Sequence, residues 1–363
     1  DERNINYINQ LIEKHIGIIG YNIASQATLE EINGFEYLKK ALNEEVKSNY
    51  DLLYLLLSLA YDPQSVMHVK DNIESGTSEG VSYALELLDL FIHEEIKPKL
   101  LPVVEDITFA EKIKQLENYY PIELLEFEDL LLSLINRDIN ETNVWTKACA
   151  LCAFSELSHI KVPDDLVAHL FNPHEILRET AGVVIYSADK EYFSKVYKRL
   201  SEVYREELDN TLDLLNITKN HLLVEKTWFL KSTGYFEKVD GRYLYELTKA
   251  MQRFSYEQNE INDIIVSDLK NKILIIKGGP VWVSIDEQDK IKFSEGELYD
   301  MNLILSEAKR KISMQKPDET TMYYFEKNDL IYNIFDFKEI EMAIVHWIDS
   351  KIHDAVSEEE ITH

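Results

Sequence analysis

Residues 296–314 read GELYDMNLILSEAKRKISM, and the fold of the C-terminal part of the chain turns on this stretch. It lies between two segments of alternating apolar residues. Upstream, residues 273–285 read ILIIKGGPVWVSI: a strand, a turn at Gly278, Gly279 and Pro280, and a second strand. Downstream, residues 320–335 read TTMYYFEKNDLIYNIF, a strand leading into the next element. Period-two alternation bounded by Gly and Pro marks strands joined by tight turns. Strand, glycine turn, strand, charged turn, short helical loop, strand is the order of a small antiparallel β-roll.

The whole chain has 363 residues, 45% of them hydrophobic and 29% charged, a globular balance at a length that calls for two or three domains. Its net charge of −28 argues against a nucleic-acid partner, because that binding rests on Lys and Arg neutralising phosphates. Cys149 and Cys152, the only cysteines, form a C-x-x-C with no second pair to complete a zinc site. Flanked by alanines, they read as small residues packed in a helix, in a protein of a reducing compartment. The longest apolar run, LLYLLLSLAY at 52–61, has core-helix length and falls short of a membrane span, so no direct membrane insertion is expected. No signal peptide is visible. The chain opens on Asp1 in place of Met, the start expected of a fragment or a processed product.

Residues 1–34 predict a short helix, with Leu11, Ile12, His15, Ile16 and Ile19 at helical spacing and Gly17 and Gly20 weakening its end. From 35 to 218 helix follows helix. Asp62-Pro63 ends one and starts the next, and Pro121, Pro163 and Pro173 mark further starts. Helices are expected near 109–119, 122–135, 143–157, 164–171, 176–186 and 192–214. Three segments echo one another: SGTSEGVSYALELLD from Ser75, INETNVWTKACALCAF from Ile139 and NPHEILRETAGVVIY from Asn172. Each sets a polar turn before a helix with Ala at its crossing point, at Ala84, Ala148 and Ala181. The second spacing is 33 residues and the first 64, about twice that. Short antiparallel helices with small residues at mid-helix indicate an α-solenoid, and the segments resemble HEAT repeats.

The 296–314 stretch resembles the phosphate-binding cassette of cyclic-nucleotide-binding domains, which runs G-D-x-F-G-E-x-A-L-L-x-x-x-x-R-x-A-T-V. Gly296 and Glu297 take the first two places, Tyr299 the aromatic one, Leu303, Ile304 and Leu305 the apolar ones, and Arg310 the arginine. Two positions depart. Asp300 replaces the Gly that lets backbone N–H groups approach a phosphate. Met301 replaces the Glu that the family uses on the ribose hydroxyl, and a thioether is a weak acceptor. Arg310 could still pair with a phosphate; otherwise it is a solvated member of the run Lys309, Arg310, Lys311. Before the cassette, residues 222–256 read as helices around a Ser232–Gly234 bend. Glu225, Lys226, Phe229, Leu230, Lys231 and Phe236 are similar to the lead-in of that family. Residues 337–352 form one helix, with Ile340, Ile344, Trp347 and Ile348 on a face, in the place of its closing helix. The resemblance covers 219–355, followed by an acidic tail at 356–363. Domain order also resembles the cytosolic tail of bacterial nucleotide-translocase-like transporters.

The fold class expected is therefore multidomain α + β: a HEAT-like solenoid, then an antiparallel roll of cyclic-nucleotide-binding type with flanking helices. No nucleophile elbow, Walker loop or H-E-x-x-H is found. Close acidic pairs such as Asp164-Asp165 and Asp286-Glu287 read as caps or solvated turns. The expected function is a non-enzymatic regulatory or protein-interaction module, without cofactor or metal. Its partner is another protein or an attached upstream domain. It lies in the cytoplasm, or at the cytoplasmic face of a membrane as a transporter tail. With Asp300 and Met301 in the cassette, cyclic-nucleotide binding is expected to be lost. The alternative is a functional small-ligand or cyclic-nucleotide sensor with altered pocket contacts.

Overall fold

A computed structural model describes residues 2–157, 162–217, 222–254, 260–264, 266–285, 290–305, 312–317 and 320–361. The chain forms two compact units, one of residues 1–172 and 181–198, the other of residues 173–180 and 199–363. No helix among the described residues is long and apolar enough to cross a membrane.

The first unit is helical. It contains α1 (Glu2–Glu30), α2 (Glu36–Ala60), α3 (Pro63–Glu74), α4 (Ser78–Phe91), α5 (Lys97–Val104), α6 (Phe109–Leu116), α7 (Phe127–Asn136), α8 (Val144–Ser155) and α9 (Asp164–Ala168). Next come α10 (Glu175–Ala188), which lends residues to both units, and α11 (Lys190–Tyr197). Local chemistry sets the starts. Asp62 accepts from the Ser65 N–H with Pro63 following it, Thr77 accepts from Gly80, and Thr108 and Glu111 cap each other reciprocally. The turn between α2 and α3 thus falls where Asp62-Pro63 predicts. Cys149 is buried and Cys152 half-buried on α8, and no disulfide joins them.

Helix α1 departs from expectation. It is a single 29-residue helix running through Gly17 and Gly20, and Ile12, Ile16, Ile19 and Ile23 fill the core of the unit. A Cβ on Gly17 would stand 2.8 Å from the Tyr120 ring, and one on Gly20 would stand 2.5 Å from Ile122. The two glycines admit that connection against the helix. Each lowers intrinsic helicity by about 1 kcal/mol, and burial of the helix in the core of the unit offsets this. Residues 121–126 are accordingly irregular, and α7 begins at Phe127, later than Pro121 suggests.

Beyond its share of α10, the second unit contains α12 (Glu202–Ile217), α13 (Leu223–Lys231) and α14 (Gly241–Lys249). The helix expected over 192–214 is divided between α11 and α12, where the Ser201 hydroxyl accepts from the Tyr204 N–H and starts a new helix. Strands follow: β1 (Gln252–Arg253), β2 (Glu260–Ile264), β3 (Lys272–Lys277), β4 (Val281–Ile285), β5 (Ile291–Phe293), β6 (Leu298–Asp300), β7 (Ile312–Gln315) and β8 (Thr321–Glu326). Short helices α15 (Val266–Leu269) and α16 (Met301–Ile304) interrupt them, and α17 (Lys327–Asp336) and α18 (Lys338–Ile361) close the unit. The strands make two antiparallel sheets in the orders β1-β8-β3-β6 and β2-β7-β4-β5. Among the described residues no strand precedes Gln252. The helix expected to reach Tyr256 gives way to β1, and α18 continues through Ile361 where an acidic tail was expected.

Strand β3 is buried on both faces. Ile273 and Ile275 join Phe229, Leu230, Phe236 and Trp347 in one core, while Leu274 and Ile276 join Val281, Val283, Phe293 and Ile312 in the other. Hence ILII is a continuous apolar run, whereas β4 alternates, with Trp282 and Ser284 half-exposed. Ile340, Ile344 and Trp347 of α18 are buried as expected, but Ile348 is 49% exposed.

Two buried glutamates each cap a helix other than their own. Glu45 of α2 accepts from the Asn143 N–H at 2.8 Å, Thr146 Oγ1 at 2.9 Å and Asn49 Nδ2 at 3.3 Å, which fixes the start of α8. Glu179 of α10 accepts from the Leu223 N–H at 2.6 Å, at the start of α13. Glu45→Ala is expected to cost about 3 kcal/mol in urea denaturation, because it strands two buried donors, and Glu45→Gln less than half of that. Burial pushes the Glu179 carboxyl up from 4.5 to about 8, against the opposing pull of the Leu223 N–H and Lys226. Between those two values the folded state holds a proton that the unfolded state has lost. This contribution to stability is full below pH 4.5 and falls as pH rises toward 8, by up to about 1.4 kcal/mol per unit. Glu179→Gln should remove that slope; parallel curves for wild type and variant would contradict it.

Candidate functional site

The five cassette positions fall between β5 and β7. Gly296 adopts φ +77° in the turn before β6, a conformation that favours glycine, and its N–H donates to the Ile276 carbonyl at 2.9 Å. Glu297 accepts from the Tyr235 hydroxyl at 2.9 Å, which links the turn to the segment after α13. Asp300 ends β6 and caps α16: one carboxylate oxygen accepts from the Asn302 N–H at 2.9 Å, and the other lies 2.6 Å from Lys327 Nζ. Met301 is fully buried in the core between the sheets. Arg310 lies outside the described residues.

Register explains why these groups meet. β3 pairs with β6 and β8 so that Ile273 is opposite both Asp300 and Phe325. Two residues past Phe325, Lys327 opens α17 beside Asp300. Asn271, just before β3, holds φ +62° and completes the joint. Its N–H donates to Asn302 Oδ1 at 2.9 Å, its Oδ1 accepts from Asn302 Nδ2 at 2.9 Å, and its carbonyl accepts from the Lys327 N–H at 2.9 Å. Asn271, Asn302 and Lys327 were not among the sequence-predicted site residues. The one local signal was an Asn between two lysines before a strand, a residue that tolerates the left-handed region.

Tyr299, the aromatic position, stacks on Phe293 with ring centres 3.9 Å apart, and its hydroxyl accepts from the Ser294 N–H at 2.6 Å. The lead-in residues have framework duties as well. Phe229, Leu230 and Phe236 are core, Lys226 donates to the Met251 carbonyl at 2.9 Å, and Lys231 donates to the Val239 carbonyl at 2.7 Å. Trp347 of α18 donates to the Leu298 carbonyl at 3.2 Å and holds β6 from the other side.

Chemically, the described part of the cassette is a capped turn with its carboxylate neutralised. The Asp300 oxygens accept from Asn302 and pair with Lys327, and the Met301 thioether is enclosed by hydrocarbon. Among the described residues no group of three or more His, Cys, Asp and Glu is placed to hold a metal ion. In comparisons with known proteins, no family model and no curated protein matches this chain.

These contacts order the consequences of substitution. Asp300→Gly removes a helix cap and one partner of a partly exposed ion pair, and should cost about 1–2 kcal/mol. Met301→Glu puts a carboxyl into an apolar core and should cost more, at least about 3 kcal/mol. Chemical denaturation of both variants measures the ranking. A harmless Met301→Glu would place residue 301 at the surface and contradict the geometry.

Proposed function

We propose that this chain is a non-enzymatic regulatory or protein-interaction module: a HEAT-like helical scaffold with a cyclic-nucleotide-binding-like jelly roll that has lost its nucleotide. The observation that carries the reading is the commitment of Asp300 to Lys327 and of Met301 to the core, at the two positions where the cassette departs from the family. A phosphate at this loop would meet the Asp300 carboxylate, and a ribose hydroxyl would find no oxygen acceptor at residue 301.

The order β1-β8-β3-β6 over β2-β7-β4-β5 is the one that eight strands take in a jelly roll, and the cassette falls between its sixth and seventh strands. Both features support the resemblance. For the helical part, support comes from the neighbouring pairs α1/α2, α3/α4 and α7/α8, and from Ala84, Ala148 and Ala181, all fully buried. The net charge of −28 favours a protein partner over nucleic acid. The resemblance to transporter tails implies a cytoplasmic position.

Titration calorimetry tests the reading. Cyclic AMP and cyclic GMP, each raised to about 1 mM, should give no binding heat, since lost contacts worth about 3–6 kcal/mol remove about two to four decades of affinity. Micromolar binding of either nucleotide would overturn the reading in favour of a sensor.

A further inference from the structure

The first unit carries an open groove of about 730 Å³ along one face of α2. Asn43, Lys47, Tyr50 and Tyr54 line it at one-turn intervals, a run of about 16 Å on a straight helix. The turn between α3 and α4 forms one wall and the connection from α5 to α6 the other. The floor is apolar, made by Val46, Ile73, Val81, Val103 and Val104. Tyr54 is 6% exposed, and its hydroxyl has no hydrogen-bond partner among the described residues.

The rim is acidic. Asp51, Glu74, Glu105 and Asp106 line it against two lysines, Lys47 and Lys112. Lys70 already holds Asp51 at 2.6 Å and lies 3.6 Å from Glu74. Lys112 directs its amine to the Val103 carbonyl at 3.0 Å. Glu105 and Asp106 share the attraction of the Lys112 amine, so that end of the rim holds two carboxylates against one lysine. An apolar floor under a rim with four carboxylates and two lysines matches a cationic, amphipathic occupant, which the chain's charge of −28 would also attract from a distance.

We propose that this groove receives a basic amphipathic segment of a protein partner. Apolar side chains at helical spacing rest on the valine floor, and Lys or Arg side chains meet Glu105 and Asp106. The proposal rests on the interaction-module reading above and names the chemistry of its partner.

Fluorescence anisotropy on the full chain at about 150 mM salt tests it. The probe is a labelled Leu/Lys amphipathic peptide of about fourteen residues, with a Leu/Glu peptide of the same spacing as its counterpart. The Leu/Lys peptide should bind with micromolar affinity and the Leu/Glu peptide should not. Glu105→Lys with Asp106→Lys should weaken binding at least about tenfold. Val81→Asn, which leaves the charge unchanged, should weaken it by at least about fivefold. Glu202→Lys with Glu206→Lys makes the same charge change on exposed residues of the second unit, and should alter binding less than about threefold. Thermal melts matching the wild type confirm that each variant is folded. The groove is overturned if the Leu/Lys peptide fails to bind, if both peptides bind alike, or if the Glu202 and Glu206 pair matters as much as the Glu105 and Asp106 pair. None of these outcomes touches the reading of the second unit, which nucleotide binding in the calorimeter would overturn.

Discussion

Four consecutive residues of β3 are buried against two different cores, and the second unit depends on that double burial. Ile273 and Ile275 serve the helices; Leu274 and Ile276 serve the opposite sheet. A one-residue slip would exchange the two sets, so the register with β6 and β8 is strongly specified. That register brings Asp300 and Lys327 together across Ile273. The chemistry of the cassette region therefore follows from the packing of a strand some 25 residues earlier in the chain.

The same logic recurs in the buried glutamates. Glu45 and Glu179 each satisfy backbone donors at the start of a helix far along the chain, at Asn143 and at Leu223. A helix start with no side-chain cap of its own, as at Leu222, leaves orphan N–H groups that something else must satisfy. A carboxylate supplied by another helix does this and couples the two elements. The coupling also makes the joint sensitive to protonation, since burial holds the Glu179 carboxyl near 8.

Features written in local sequence were legible. The turn at Gly278, Gly279 and Pro280, the alternation of β4, the cap at Asp62-Pro63 and the packed cysteines of α8 all follow from neighbouring residues. Features that rest on distant partners were not. Gly17 and Gly20 look like helix breakers until Tyr120 and Ile122 are placed against them. Met301 is a missing acceptor in a motif alignment, whereas in the structure it is a core residue. Ile348 has the right period for the buried face of α18 but lies just beyond the arc that Ile340, Ile344 and Trp347 bury. Lys327 carries no local signal, because its partnership with Asp300 exists only once β3, β6 and β8 are in register.

The central claim is that Asp300 is a structural member of the joint with Lys327. A double-mutant cycle measures this directly, with Asp300→Asn, Lys327→Met and the pair compared by urea denaturation. The two side chains are 13% and 28% exposed, so the pair is screened only in part. The account predicts a favourable coupling of about 1 kcal/mol that shrinks little in high salt. A coupling indistinguishable from zero would contradict it and return Asp300 to the solvent.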